Sequence, residues 1–133
     1  MFIDRLINSG PMPVLEQQLG FTEARETLLA QNIANATTPG YQQKDLSVET
    51  FHSMLQEKVG EQASAAPGSV DFSDIKSEVE NPSNGILFHD GNNRSMEELM
   101  SNNAKNVLMH NLAVELLRNQ FQTMNMALKL QVT

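Results

Sequence analysis

The hydrophobic positions of this chain follow a helical spacing at its two ends and lose that spacing in between. Near the N-terminus, two adjacent helical rows of apolar side chains are present: Val14, Phe21 and Leu28 in one row, and Leu15, Leu19, Leu29 and Ile33 in the other. Positions three, four and seven apart lie on one face of an α-helix. The pattern therefore predicts an amphipathic helix to about Ala36, and Pro13 suits its first turn.

A second and longer pattern fills the C-terminal part of the chain. Ser95 followed three residues later by Glu98 is a capping-box pattern, which marks the start of a helix. Beyond it, alternating steps of four and three form a heptad seam: Met96, Met100, Asn103, Val107, His110, Val114, Leu117, Phe121, Met124 and Leu128. A helix from Met96 to Gln131 would be roughly 54 Å long at 1.5 Å per residue. So long a helix needs a partner, and we predict that the seam packs on another helix.

The middle of the chain predicts less regular structure. Phe51, Leu55 and Val59 have the spacing of a short helix, and residues 60–69 have the composition of a flexible linker. The turn-rich stretch 81–85, between Val79 and an apolar run, leaves room for a small β-hairpin. We divide the chain into four parts: a flexible leader (1–12), a helix and turn (13–41), an extended or linker region with a short helix (42–94), and a coiled-coil helix (95–133).

The fold class predicted from these patterns is mainly α. The two long terminal helices pair as an antiparallel, coiled-coil-like bundle, and the middle region between them is loosely structured.

The first helix ends in a distinctive stretch, Asn32-Ile33-Ala34-Asn35-Ala36-Thr37-Thr38-Pro39-Gly40-Tyr41. Pro39 disfavours helical dihedrals at Thr38, and the pair Pro39-Gly40 fits the central positions of a type II turn. Asn32 and Asn35 are poor helix formers, where a plain helix stop would use alanine or lysine. By itself, the stretch indicates a helix end followed by a tight turn.

Composition and charge exclude several classes of function. The net charge is −7 and the basic residues are scattered, which argues against a nucleic-acid partner. With no cysteine, the chain has neither disulfides nor thiolate metal sites. No stretch approaches 18 apolar residues, and the N-terminus, Met1 to Leu6, lacks the features of a cleavable secretory signal.

The residues that could support catalysis do not converge in the sequence. His52, His89 and His110 belong to three different predicted elements, and no phosphate-binding or nucleophile motif is present. For His110 we favour a seam histidine, hydrogen-bonded to a neighbouring side chain, over a ligand. We therefore expect no enzyme activity, no cofactor, no metal and no small-molecule substrate. Three classes stay open at this point: a structural subunit, a coiled-coil adaptor or chaperone, and an enzyme with an unrecognised site.

The stretch from Asn32 to Tyr41 closely resembles the signature of the bacterial flagellar rod and hook proteins, Asn-Ile-Ala-Asn-x-x-Thr-Pro-Gly-Tyr. The stretches Lys44-Asp45-Leu46 and Gly91-Asn92-Asn93, together with the overall length, resemble the short proximal rod proteins. Of the two paralogous proximal rod proteins, the compact turn favours the one without an insertion there, and the other is the alternative. The chain departs from the family pattern at Thr37, often aspartate, and at Gln42, often basic.

This resemblance implies a structural subunit of the proximal rod in the flagellar basal body. Such a subunit is exported uncleaved by the flagellar type III apparatus and joins a periplasmic, torque-transmitting shaft. The implied partners are other rod proteins, copies of the same chain, the membrane-embedded base and the export gate. The assembly motif would comprise Asn32, Ile33, Asn35, Thr38, Pro39, Gly40 and Tyr41.

The resemblance also implies an export-gate motif of the form Phe-x-x-x-hydrophobic, which Phe51 and Leu55 match in spacing and position. The same spacing is common in helices that simply pack against a core, so the sequence leaves both interpretations open.

Overall fold

A computed structural model describes residues 2–91 and 93–131 of the chain, and only the backbone of Gln131. The elements follow one another in this order: α1 (Phe2–Ile7), α2 (Met12–Ala34), β1 (Lys44–Leu46), α3 (Val48–Ser64), α4 (Ser73–Glu80), β2 (Leu87–His89) and α5 (Met96–Gln131). Among the described helices, none is both long enough and apolar enough to cross a membrane.

The two long helices begin at the predicted signals. Pro13 lies in the first turn of α2, where its missing N–H group is not needed. At the start of α5, the backbone N–H of Glu98 donates to Ser95 Oγ at 3.2 Å, as in a capping box. Glu97 and Glu98 occupy the first turn of α5 and Lys129 the last, which suits the helix dipole at both ends.

Helices α2 and α5 pack against each other in antiparallel directions. In the middle of α2, Thr22 contacts both Asn106 and His110 of α5. In the segment after α2, Gln43 contacts Arg94, which lies two residues before the start of α5. The end of α2 therefore lies beside the start of α5, which confirms the predicted fold class.

The strands of the middle region are not joined by the hairpin considered above. Val79 belongs to α4, and β2 pairs antiparallel with β1, far earlier in the chain. In this register Lys44 is opposite His89 and Leu46 is opposite Leu87. The middle region is thereby held together by a long-range contact.

The helices of the middle and N-terminal regions are more extensive than predicted. Helix α3 starts earlier because Ser47 Oγ caps it by accepting from Thr50 N, and it continues to Ser64, into the stretch assigned to a linker. Within the leader, α1 rests on the loop after α3. There Gly68 has a φ of +78°, and a Cβ atom at this position would lie only 2.9 Å from the Cα of Arg5. Only glycine permits this contact.

The hydrophobic core lies between α2 and the middle region. Its buried members come from α2, β1, α3, α4 and the segments before α4 and β2: Phe21, Leu46, Phe51, Leu55, Phe72, Ile75, Val79 and Ile86. Phe21 and Phe51 stack in this core with ring centroids 4.0 Å apart. No described residue of α5 belongs to the cluster. Helix α5 instead packs on α2 outside this core.

Candidate assembly surfaces

The signature stretch has one buried anchor and an exposed tip. Thr37, Thr38, Pro39 and Gly40 are exposed, and Tyr41 is half-buried. Gly40 has a φ of +75°, and Tyr41 N donates to Thr38 O at 3.3 Å, both as expected for the predicted type II turn. The tip thus presents a rigid turn to solvent at one end of the helix pair.

Asn32 is the buried anchor of the stretch. Its Nδ2 donates to Lys44 O at 2.7 Å, and its Oδ1 accepts from Lys44 N at 3.1 Å. The amide therefore satisfies both backbone groups of a strand residue, as a neighbouring strand would. Asn35 makes local contacts instead: its Nδ2 donates to Gln31 O, and its Oδ1 accepts from Thr38 Oγ1. Ile33 is half-buried.

Two further amide side chains join the segment after α2 to the segment before α5. Gln43 donates from Nε2 to Arg94 O and accepts at Oε1 from Arg94 N. Asn93 donates from Nδ2 to Tyr41 O and accepts at Oδ1 from Gln43 N. These reciprocal bonds explain why amides stand at these positions, since only an amide both donates and accepts with fixed geometry. The end of the signature thereby meets Asn93 of the Gly-Asn-Asn stretch, whose middle residue, Asn92, lies outside the described residues.

A buried ion cluster lies beside these amides. Asp45 of β1 accepts hydrogen bonds from Arg25 at 2.9 Å and 3.1 Å and from Arg94 at 2.7 Å. Its side chain is 3% exposed. Burial raises the pKa of Asp45, but the hydrogen bonds from the two arginines outweigh burial, so its pKa lies below the usual value of 3.8. The cluster connects α2, β1 and the start of α5 electrostatically.

Arg94 also contacts a second set of groups. Its guanidinium lies 2.9 Å from Asp90, within ion-pair distance of Glu98, and over the ring of Phe88. Sequence reasoning missed Arg25 and Arg94 because the partner they share, Asp45, is 20 and 49 residues away in the chain. In the sequence, this cluster was indicated by the Lys44-Asp45-Leu46 stretch, which was noted only for its resemblance to the short proximal rod proteins.

A polar layer lies in the α2–α5 contact. Asn106 Nδ2 donates to Thr22 O at 2.8 Å, and His110 Nδ1 lies 2.9 Å from Thr22 Oγ1. The Thr22 hydroxyl also lies 3.0 Å from Leu19 O, so it links His110 to the backbone of α2. His110 is thus hydrogen-bonded to a neighbouring side chain, as expected from the sequence. A buried polar layer of this kind fixes the register of two helices.

The predicted α5 seam lies only partly in the contact with α2. Six of its members are half-buried: Asn103, Val107, His110, Val114, Leu117 and Met124. Four are exposed within the subunit: Met96, Met100, Phe121 and Leu128. The most buried positions of α5 are instead Leu99, Asn106 and Ala113. With Asn103, His110 and Leu117, these three keep the same alternation of four and three residues.

The reason for this difference is that α5 carries apolar side chains on several sides. Leu99, Asn106 and Ala113 each lie one residue before a position of the predicted seam, so periodicity alone selected the neighbouring row. On a side directed to solvent, α5 exposes a further row of large apolar side chains: Leu108, Met109, Leu112 and Leu116. Such a row is unusual on a monomeric protein and indicates contact with another molecule.

The two residues of the export-gate motif lie in the hydrophobic core. Phe51 is completely buried against Phe21, and Leu55 is buried one turn further along α3. In the folded subunit neither side chain is accessible to another protein.

The described residues provide no site for metal chemistry. His52 and His89 are exposed on separate elements, and His110 is engaged with Thr22. Over residues 2–91 and 93–131, no group of three His, Asp or Glu side chains converges to hold an ion.

Comparison with known proteins places the chain among flagellar proteins. It is 31% identical over 135 residues to the flagellar basal body rod protein FlgB of Yersinia enterocolitica, covering 92% of this chain and 94% of the relative. It is 27% identical over 124 residues to FlgB of Bacillus subtilis, covering 90% and 94%. No profile of a known family matches the chain, and no solved structure matches it. Because the first similarity spans nearly the whole of both proteins, the chain belongs to the FlgB family of flagellar basal body rod proteins.

Proposed function

We propose that the protein is a structural subunit of the flagellar basal-body rod, of the FlgB type rather than the paralogous FlgC type. The observation that carries the proposal is the similarity to FlgB along nearly the entire chain. The residues of the rod signature support it, since Asn32 fixes the strand after the turn while Pro39 and Gly40 stay exposed for contact. The role is mechanical and involves no catalysis.

The proposed mechanism is assembly through the outer faces of a braced helix pair. Amide bonds at Asn32, Gln43 and Asn93 and the Asp45 cluster hold α2 and α5 at one end. The apolar side chains that α5 leaves exposed then pack on neighbouring subunits, on other rod proteins and on the membrane-embedded base. Contacts between different faces of identical subunits build a helical shaft, and rigid helices transmit torque along it.

Export by the flagellar type III apparatus is the second part of the proposal. Phe51 and Leu55 are accessible only when the chain is unfolded, because both are core residues in the folded subunit. The export gate would therefore bind the chain before it folds, and folding outside the cytoplasm would bury the motif. The subunit thus reaches the periplasmic rod without a cleaved signal, and burial of the motif opposes its return to the gate.

The experiment that tests the rod assignment is deletion of the gene followed by examination of basal bodies. We expect the deletion strain to be non-motile and to lack rods beyond the membrane-embedded base, because the shaft cannot continue past a missing subunit. A plasmid copy of the gene should restore both. Basal bodies with complete rods in the deletion strain would contradict the assignment and would favour the adaptor or chaperone alternative.

A further inference from the structure

Opposite its contact with α5, helix α2 borders an unfilled groove. Two adjoining hollows share Ala24, Thr27, Val79 and Glu80, so they form one continuous depression. We call it the α2–α4 groove; its floor and walls include Gly20, Ala24, Thr27, Leu28, Val79 and Leu87. Gly20 and Ala24 are two residues before and after Thr22, and two residues rotate a helix by about 200°, so both lie opposite the α5 contact.

Helix α5 extends beyond the helix on which it packs. Ten residues of α2 separate Thr22 from Met12, and ten residues beyond Asn106 and His110 bring α5 to 116–120. The remainder, which we call the α5 tail (120–131), projects about 17 Å past the start of α2. No described element packs extensively against it other than α2 at its base.

The α5 tail carries large apolar side chains on two sides, and Gln122, Asn125 and Lys129 form a polar side between them. Phe121, Met126 and Leu128 are exposed, and Met124 is half-buried. These side chains point in different directions around the helix, so no flat surface could cover them together. Large apolar side chains exposed in this number on one short segment indicate contact with another molecule.

We propose that the α5 tail of one copy docks in the α2–α4 groove of a second copy. The groove runs along α2 from Gln17 to Leu28, which is about 17 Å and equals the length of the tail. Small residues on its floor admit the close approach of a helix, while α4 and β2 supply a second wall. The tail leaves its own subunit at the far end of α2, so it cannot reach its own groove.

Charge supports the same pairing. Lys129 is the one charged residue of the tail, and Glu23 lies at the edge of the groove. Within residues 2–91 and 93–131 neither side chain has an ion-pair partner. Lys44 and Lys76 also border the groove, and Lys76 already pairs with Glu80. Docking would thus let Lys129 of one copy and Glu23 of the other pair with each other.

The contact joins two different surfaces, so each copy that accepts a tail offers its own tail to the next copy. Repetition produces a head-to-tail series, which is open unless its rotation closes it into a ring. The inference rests on the proposed function as a rod subunit, and it names both halves of one contact between copies.

Gly20 offers a direct test, because a larger side chain there fills the groove without disturbing the monomer. A Cβ atom at Gly20 would meet no atom within 4 Å, and removing a helical glycine favours folding. We expect Gly20→Leu to melt at or above the wild-type temperature as a purified monomer, yet to be lost from basal bodies. Gly60→Leu, on the equally open Gly60 of α3, is the matched control and should assemble normally.

Cross-linking identifies the occupant. The chain has no natural cysteine, so Thr27→Cys combined with Leu128→Cys should give covalent multimers of this chain in basal bodies treated with a short bis-maleimide. Glu26→Cys with Leu128→Cys, which moves the groove thiol to another side of α2, should not. Normal assembly of Gly20→Leu, or cross-links only to a different protein, would overturn the docking inference while the rod assignment stands. Absence of the wild-type chain from basal bodies would overturn both.

Discussion

Replacing Phe51 and Leu55 together by alanine is expected to unfold the protein in solution and to remove it from the periplasm. Phe51 stacks on Phe21 at 4.0 Å, and Leu55 is buried beside it in the same core. Truncating a buried Phe typically costs about 3–5 kcal/mol and a buried Leu about 2–5 kcal/mol. The total stability of a domain is about 5–15 kcal/mol, so the double variant should lose most of its folded population. Urea denaturation of the purified variant measures this loss.

The export effect is separated from the folding effect by a second core variant. Ile75→Ala removes a side chain of the same core outside the Phe-x-x-x-hydrophobic motif. It should lower stability yet still be exported, because the export apparatus takes an unfolded chain. Cytoplasmic and periplasmic amounts of both variants are compared by immunoblotting in an otherwise wild-type strain. Equal export of the two variants would reduce Phe51 and Leu55 to core residues.

Asp45→Ala is expected to destabilise the folded protein by about 3–5 kcal/mol, since it leaves two largely buried arginines without their shared partner. Arg25 and Arg94 have exposures of 12% and 16%, so water cannot fully replace the carboxylate. The control is Glu115→Ala, which removes the exposed pair with Arg118 and should cost less than about 1 kcal/mol. A similar loss of stability in both variants would show that the buried cluster stabilises the fold no more than an exposed ion pair does.

The same cluster predicts a dependence of stability on pH. The pKa of Asp45 is lower in the folded protein than its usual value of 3.8. A carboxyl group with a lowered folded-state pKa contributes its full stability above the unfolded-state value and loses it as the pH falls through the folded-state value. The free energy of unfolding should therefore fall in acid below the usual pKa. Asp45→Ala should show a smaller acid-induced fall than the wild-type protein.

The features that sequence reasoning predicted correctly are those set by short-range chemistry. The capping pair Ser95 and Glu98 and the turn at Pro39-Gly40 depend only on neighbouring residues. The two long helices follow from repeated apolar spacing, and their length required them to pair.

The features that it missed depend on contacts between distant segments. Strand β2 finds its partner in β1 rather than in a local hairpin, because Asn32 and Asp45 already fix β1 beside α2 and α5. At Met100, Val107 and Val114 the predicted seam lies one residue after the buried positions of α5, because a helix with several apolar sides gives no unique direction to its spacing. Leu99 and Ala113 could be identified only once the partner helix was in place.

The most direct test of the rod assignment is electron cryo-microscopy of purified basal bodies from a strain that carries this gene. If the protein is a rod subunit, density for the antiparallel α2–α5 pair, with the Pro39-Gly40 turn at one end, should lie in the wall of the rod next to the membrane-embedded base. A rod whose density in that region is fully accounted for by other proteins would contradict the assignment.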